Sequence, residues 1–246
     1  MNQFRADLHI HTVLSPCGDL EMSPTNIIRA AKNKQLDLIG ITDHNSTRQC
    51  AVIKELGKRE GILVLCGAEV TTKEEAHCLA FFETDEALNN FQEYLDVHLP
   101  DIKNDPDLFG YQVAVNEKDE ICYEEERLLI SALDQSIDKI EEEVHALNGI
   151  FIPAHVNKGK NSIISQLGFI PMDLKTDALE ISKHVSKEGF LLKNKYLKNN
   201  VFIKSSDAHI PELIGEVITI FEMETLSFAE VAKALKGIDN RKVITE

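Results

Sequence analysis

Positive charge is what this chain is short of: 26 lysines and arginines stand against 41 aspartates and glutamates, a formal net charge of −15. That balance argues against a broad phosphate-backbone footprint on nucleic acid and against an anionic membrane surface. A small phosphorylated substrate is compatible with it, because bound cations would dominate the local field. Cysteine is scarce and unpaired: the five (Cys17, Cys50, Cys66, Cys78, Cys122) form no CxxC motif and are odd in number. With a polar N-terminus lacking the apolar core of a signal peptide, they point to a reducing cytoplasm and to no disulfide framework. No apolar run approaches the roughly 20 residues that cross a bilayer, so no membrane attachment is expected. Low-complexity tracts and fixed-period repeats are missing. So are a Walker loop, a dinucleotide fingerprint and an ordered Ser-His-Asp set, which removes NTPase, Rossmann and serine-hydrolase readings. Oligomeric state leaves no mark on the sequence.

What is present fits one α/β domain. At 246 residues and 43% hydrophobic, the chain can bury one sizeable core. Arg5-Ala6-Asp7-Leu8-His9-Ile10-His11-Thr12 alternates apolar and polar, as a strand does. Ser23-Pro24 then signals a helix start, with a helix from about Thr25 to Asn33. Leu36–Thr42 and Ile62–Ala68 read as buried strands around a helix from about Thr47 to Glu60, and His77–Phe82 as a fourth strand. The texture changes over about 85–145, where helices at about Asp85–Asp96 and Glu124–His145 flank a hairpin of Gln112–Val115 and Glu120–Tyr123. This segment is expected to be an α+β insertion over the substrate mouth. Strands at Gly149–Ala154, Ala178–Ser182, Val201–Ser205 and Val217–Phe221, with a helix from about Ser227 to Leu235, resume the beat. Repeated strand-helix units predict a parallel sheet, with the active site of a closed barrel at its C-terminal strand ends.

Polar residues collect at those ends: His9 and His11, Asp43 and His44, Glu69, His155, Asp207 and His209. His9 and His11 are two apart on a strand, so their side chains share a face and can grip one metal ion or two adjacent ones. Asp207 and His209 repeat that spacing. With His77, six of the nine histidines fall at strand termini. Imidazole and carboxylate without a cysteine cluster suit zinc, iron or manganese. His98 and His145 lie away from every motif and read as surface residues.

Asp-Leu-His-Ile-His-Thr at 7–12, Ile-Thr-Asp-His at 41–44, Gly-Ala-Glu at 67–69, Ala-His at 154–155 and Ser-Asp-Ala-His at 206–209 together resemble the PHP (polymerase and histidinol phosphatase) family of metal-dependent phosphoesterases. The resemblance implies a distorted (β/α)7 barrel over residues 1–246, with two or three divalent metals (zinc, manganese or iron, with magnesium also compatible) at its mouth. It implies His9, His11, Glu69 and Asp207 as ligands of the first metal, with Glu69 bridging and His77 and His155 completing the second. His44 and His209 are implied on a third. The remaining ligand of that site is expected to be Asp19, counting back from Ser23-Pro24. Counting forward from His11 makes Cys17 the alternative, and a thiolate there would favour zinc.

The implied reaction is attack of a metal-activated hydroxide on phosphorus, with the cations neutralising charge on the transferring group. Asp43 is expected to orient a histidine ligand or accept a proton. Lys158, Arg127 and His184, with Lys183, are candidate phosphate binders; Asn45 and Asn157 adjoin motifs. The expected substrate is a small phosphorylated metabolite, a nucleotide among the candidates, and nucleic acid is not expected as a partner, because the chain shows no basic track. Alternatives are a histidinol-phosphate phosphatase, an exonuclease-like enzyme, a protein-tyrosine phosphatase, a C–N hydrolase, and a catalytically silent metal-binding regulatory module.

Overall fold

A computed structural model of the chain describes residues 1–245. Its elements run β1 (Asn2–Ile10), α1 (Pro24–Asn33), β2 (Leu38–Ile41), α2 (Cys50–Glu60), β3 (Leu63–Thr71), β4 (His77–Phe82), α3 (Asp85–His98), α4 (Pro106–Phe109), β5 (Val113–Val115) and β6 (Ile121–Glu124). Then follow α5 (Ile137–Ala146), β7 (Ile150–Pro153), α6 (Ile163–Leu167), β8 (Leu179–Glu180), α7 (Lys187–Lys193), β9 (Phe202–Ile203), β10 (Thr219–Met223), α8 (Phe228–Lys236) and β11 (Lys242–Ile244).

The principal sheet has the order β11-β10-β1-β2-β3-β4-β7. Backbone hydrogen bonds carry the curl on from β7. Val156 N donates to Glu180 O at 2.8 Å beside β8, β8 pairs with β9 in parallel, and Ala208 N donates to His9 O at 3.2 Å, back on β1. The ring β1-β2-β3-β4-β7-β8-β9 is the distorted seven-stranded barrel expected of the sequence. It is not all parallel. β4 runs antiparallel to both β3 and β7, because residues 72–76 are too short a connection for a crossover and fold back as a hairpin. That reversal brings His77, first in β4, opposite Thr71, last in β3.

Two buried layers position the site. Leu8, Leu38, Leu65, Leu79, Phe81 and Ile152 fill the barrel interior, and Val231, Ala234 and Leu235 of α8 join that cluster. Ile39, Ile41, Val64 and Cys66, on the opposite strand faces, pack outward with Ile27, Ile53 and Phe91 of the helices. Each such side chain, fully buried, stabilises by roughly 1.5–3 kcal/mol over its exposed state. β1 changes parity along its length. Leu8 belongs to the interior cluster, but Ile10 belongs to the outer one. The pairing with β2 is irregular between Asp7 and Ile10, and a one-residue slip exchanges the faces of a strand. His9 and His11 are thereby turned to the mouth. Gly40 sits beside this slip, where an added Cβ would collide with the Leu8 carbonyl.

The segment at 85–145 departs from expectation in one place. The hairpin forms as β5 and β6, but the expected helix from Glu124 to His145 is confined to α5. Two buried side-chain amides take the backbone groups that a longer helix would need. Gln112 Nε2 donates to Glu125 O and Arg127 O, Gln112 Oε1 accepts from Leu129 N, and Asn45 Nδ2 donates to Leu129 O and Ser131 O. Ser136 caps α5 instead. Similarly, α2 begins at Cys50 because Thr47 N donates to Gln92 Oε1 at 2.6 Å. β11 had no counterpart in the expected elements. No helix among the described residues is long and apolar enough to cross a membrane.

Candidate metal centre

Eight of the nine expected ligands converge at the barrel rim. Glu69 of β3 is their hub: its Oε1 lies 2.9 Å from His77 Nδ1, 3.0 Å from His155 Nε2 and 3.3 Å from His9 Nε2. Its Oε2 lies 3.2 Å from His44 Nδ1 and 3.4 Å from His11 Nε2. Asp207 Oδ1 stands 3.4 Å from His9 Nε2 and 3.5 Å from His11 Nε2, and those two nitrogens are 3.2 Å apart. His209 stacks on His11 with ring centroids 4.2 Å apart. His155 and Asp207 hold positive φ values of 30° and 55°, sparsely populated for residues with a Cβ. Each turns the chain sharply just past a strand end.

These groups fit divalent metal ions. Ligand atoms of His9, His11 and Glu69, of His44, Glu69 and His77, and of His11, Cys17, His44 and His209 each lie within 4.8 Å of one another. His44 Nδ1 is buried with no aligned hydrogen bond although Glu69 Oε2 is close, and His155 Nδ1 is likewise unpartnered. Such nitrogens are costly unless something shares their lone pairs.

The protein groups set the ligands' protonation before any cation arrives. Burial pushes the Glu69 carboxyl up, but the surrounding imidazoles, His77 foremost, hold it well below its ordinary value. Asp207 is lowered in the same way, burial being outweighed by His9 and His11. Burial lowers His44 well below its usual value and His209 to about 4, so both rings are neutral donors at pH 7. His9 and His11 go the other way: burial lowers both, but the Glu180 and Glu69 carboxylates hold His9 well above its ordinary value, and hydrogen bonds to Asp207 and Glu69 raise His11 to about 8. Burial, with Glu69 and Asp43 nearby, pushes the Cys17 thiol up to about 12. Its thiolate therefore needs a cation beside it.

Behind the ligands lies a layer that sequence reasoning found only in part. Glu180 is buried and places Oε2 3.1 Å from His9 Nδ1, while the same oxygen accepts from His155 N at 2.8 Å. It was missed as a site residue; the signal was a carboxylate in an otherwise apolar strand, Ala178–Ile181. Ser15 is the second omission. Its Oγ lies 2.9 Å from His11 Nδ1 and donates to Asp43 Oδ1 at 2.7 Å. Asp43 also accepts from Thr12 N and Thr12 Oγ1, so it acts on His11 through Ser15 and faces away from the cavity.

The centre opens into a cavity of about 590 Å³, lined by ligands, by Lys158, Lys160 and Asn161, and by Ile130 and Ala132. Lys158 Nζ pairs with Asp207 Oδ2 on its rim. His184 is exposed on a side cavity of about 200 Å³ that shares His155, Lys158 and Asp207 with the first. Two expectations need correction. Cys17, not Asp19, joins His11, His44 and His209. Tight turns from Thr12 to Ser15 and from Ser15 to Gly18 bring the thiol round, whereas the Asp19 carboxylate accepts from Glu21 N at 2.8 Å. Arg127 is engaged elsewhere: Nε with Glu125, Nη1 with Asp96 O and Nη2 with Asp96 Oδ1, at 2.8–3.2 Å. His98 and His145 are not bare surface residues, since each pairs with a carboxylate, Asp134 and Glu141 respectively.

Fold and site together define an α/β barrel whose histidine and carboxylate clusters are able to hold metal. The chain belongs to the PHP family: it matches the PHP domain over residues 7–192 and the PHP-associated domain over 202–237. Members of that family are metal-dependent hydrolases acting on phosphoesters. An uncharacterised protein of Bacillus subtilis, YqxK, is 26% identical over 99% of this chain and 65% of its own length. The lesion-specific endonuclease PfuEndoQ of Pyrococcus furiosus superposes with a TM-score of 0.74 at 23% identity, covering 98% of this chain and 58% of that one. A complex of endonuclease Q with a 27-mer duplex, an abasic lesion at its active site, superposes at 0.71 with 22% identity and the same coverage. The chain spans 65% of the length of YqxK and 58% of that of PfuEndoQ. The endonuclease Q complex overturns the expectation that nucleic acid is not a partner. A net charge summed over the whole chain does not report the local field at a mouth carrying Lys158 and Lys160.

Proposed function

We propose that this chain hydrolyses phosphoesters at the Glu69 centre. The observation that carries the reading is the Glu69 carboxylate itself, whose two oxygens face five histidine nitrogens at 2.9–3.4 Å. In this reading His9, His11, Glu69 and Asp207 hold one cation, Glu69, His77 and His155 a second, and Cys17, His44 and His209 a third. The cations, when bound, supply Lewis-acid stabilisation of phosphoryl charge and lower the pKa of water. The chain's own part is orientation. Glu180 and Ser15 fix the His9 and His11 rings from behind, as partners of metal-ligating histidines do. Lys158 exchanges Asp207 for a phosphoryl oxygen when substrate enters. Zinc, manganese and iron all suit this donor set, and the Cys17 thiol tilts the third site towards zinc.

One substrate reading is the phosphomonoester of a small metabolite, which a cavity of this size admits. The fold shared with endonuclease Q favours a second, a nucleic-acid phosphodiester. Phosphate release from a generic ester with added manganese or zinc, beside cleavage of an abasic-site duplex, separates them. His9→Ala and Asp207→Ala are expected to lower either activity at least a hundredfold, consistent with loss of a group worth about 3 kcal/mol or more. If the protein binds metal and cleaves neither class of ester, a silent metal-binding module is the correct reading.

A further inference from the structure

The cavity is much larger than a phosphoryl group, so the organic part of a substrate must also sit in it, and its walls are unequal. Most of its lining residues are polar or ligating; Ile130 and Ala132 are its two aliphatic residues. Both are half-buried, while Leu129 and Leu133 on either side are buried in the outer core. The stretch therefore offers alternate side chains to core and cavity, though it belongs to no strand.

What holds it there is Asn45, directly after His44. Its amide is 1% exposed and fully used: Nδ2 donates to Leu129 O at 2.7 Å and Ser131 O at 2.8 Å, and Oδ1 accepts from Thr71 N at 3.0 Å. Its backbone N donates to Glu69 O, and its φ of 45° lies in the left-handed region, where asparagine is among the tolerated residues. Leu133 N donates to Thr71 O at 2.9 Å and completes the tie. One side chain thus fixes the 129–132 wall to the strand end that bears the hub carboxylate.

We propose that Ile130 and Ala132 form a subsite for an apolar group of the phosphoester, and that Asn45 is the positioning residue that builds it. The inference rests on the phosphoesterase reading for the identity of the ester, but its test does not need turnover. Phenylphosphonate and methylphosphonate cannot be hydrolysed, and their binding to the zinc-loaded full chain can be compared by calorimetry. The wild type is expected to bind the phenyl compound about tenfold tighter, the yield of a modest apolar burial. Ile130→Ala should remove most of that preference and leave methylphosphonate binding and metal content unchanged. Asn45→Asp, of equal size but with acceptors facing two carbonyls, should also erode the preference. It should raise amide exchange at Leu129, Ser131 and Leu133, a change that Ile130→Ala does not produce. Absence of an aryl preference in the wild type, through equal binding or through none, overturns the proposal, as does a preference that survives Ile130→Ala. Failure to cleave either a phosphomonoester or a phosphodiester would instead sink the phosphoesterase reading.

Discussion

Cys17 and Asp19 are two residues apart, and the choice between them decides the chemistry of the proposed third site. Their order in the sequence did not resolve it, because counting from either side of the loop selects a different residue. The turns that resolve it depend on Gly18, where an added Cβ would run into the Thr12 carbonyl, a close approach that only glycine allows. The thiol, pushed up to about 12, stays protonated at neutral pH without a cation beside it. Cobalt(II) reports this directly, since a bound thiolate adds a sulfur-to-metal charge-transfer absorption in the near ultraviolet. We expect that band in the cobalt-loaded protein and its loss in Cys17→Ser, with Asp19→Asn leaving it intact. A band that persists in Cys17→Ser would remove the thiol from the centre. The other candidate ligands could be singled out because histidine and carboxylate at the ends of apolar runs are costly without a purpose. Glu180 and Ser15 were not, because each supports a ligand from the far side of the fold, at a sequence distance of 171 residues in the case of Glu180 and His9.

Between elements, hydrogen bonds that reach across the chain decided where the sequence pattern failed. The residues at 124–136 carry helical spacing, yet Gln112 and Asn45 take their backbone groups and postpone the helix to Ile137. β4 was legible as a strand but not as an antiparallel one, since direction is a property of the connection and of its neighbours. His145 shows the same cross-chain tying at the end of α5. Its Nδ1 lies 2.6 Å from Glu141 Oε1 and its Nε2 3.1 Å from Asp177 Oδ2, and Asp177 also accepts from Phe151 N in β7. Asp177 first, and Glu141 with it, raise the His145 pKa above the usual value despite partial burial. A raised folded value means stability that is fully present below the unfolded pKa of about 6.5 and lost as pH climbs through the folded one. Denaturant melts of wild type and His145→Gln should therefore differ most below about pH 6.5 and converge towards alkaline pH. A gap that is flat across this range, or widens upwards, would show that the ring does not act through its charge.

Over the whole molecule, the candidate ligands bring together parts of the chain that no local structure joins. His9 and His11 come from its beginning, Glu69 and His77 from its first third, and Asp207 and His209 from near its end. Each lies at a different point on the ring of strands, and the last link of that ring is made by Ala208, between the two final ligands, bonding to β1. A cation that binds these groups binds the closed ring and not the unfolded chain, so binding and folding are linked. The charge balance points the same way: a chain at −15 that gathers Glu69, Glu180 and Asp207 in one buried place gains from positive charge there. At a free zinc concentration a hundred times its dissociation constant, one such site adds about 2.7 kcal/mol. For a domain of this size that corresponds to a rise in Tm of roughly 5–10 °C. Thermal melts with zinc and after chelation should differ by at least that amount, and His9→Ala, which removes a donor near both Glu69 and Asp207, should shrink the difference. A melting point that ignores both metal and chelator would mean that these strand ends close the barrel without holding a cation, and the metal centre would have to be abandoned.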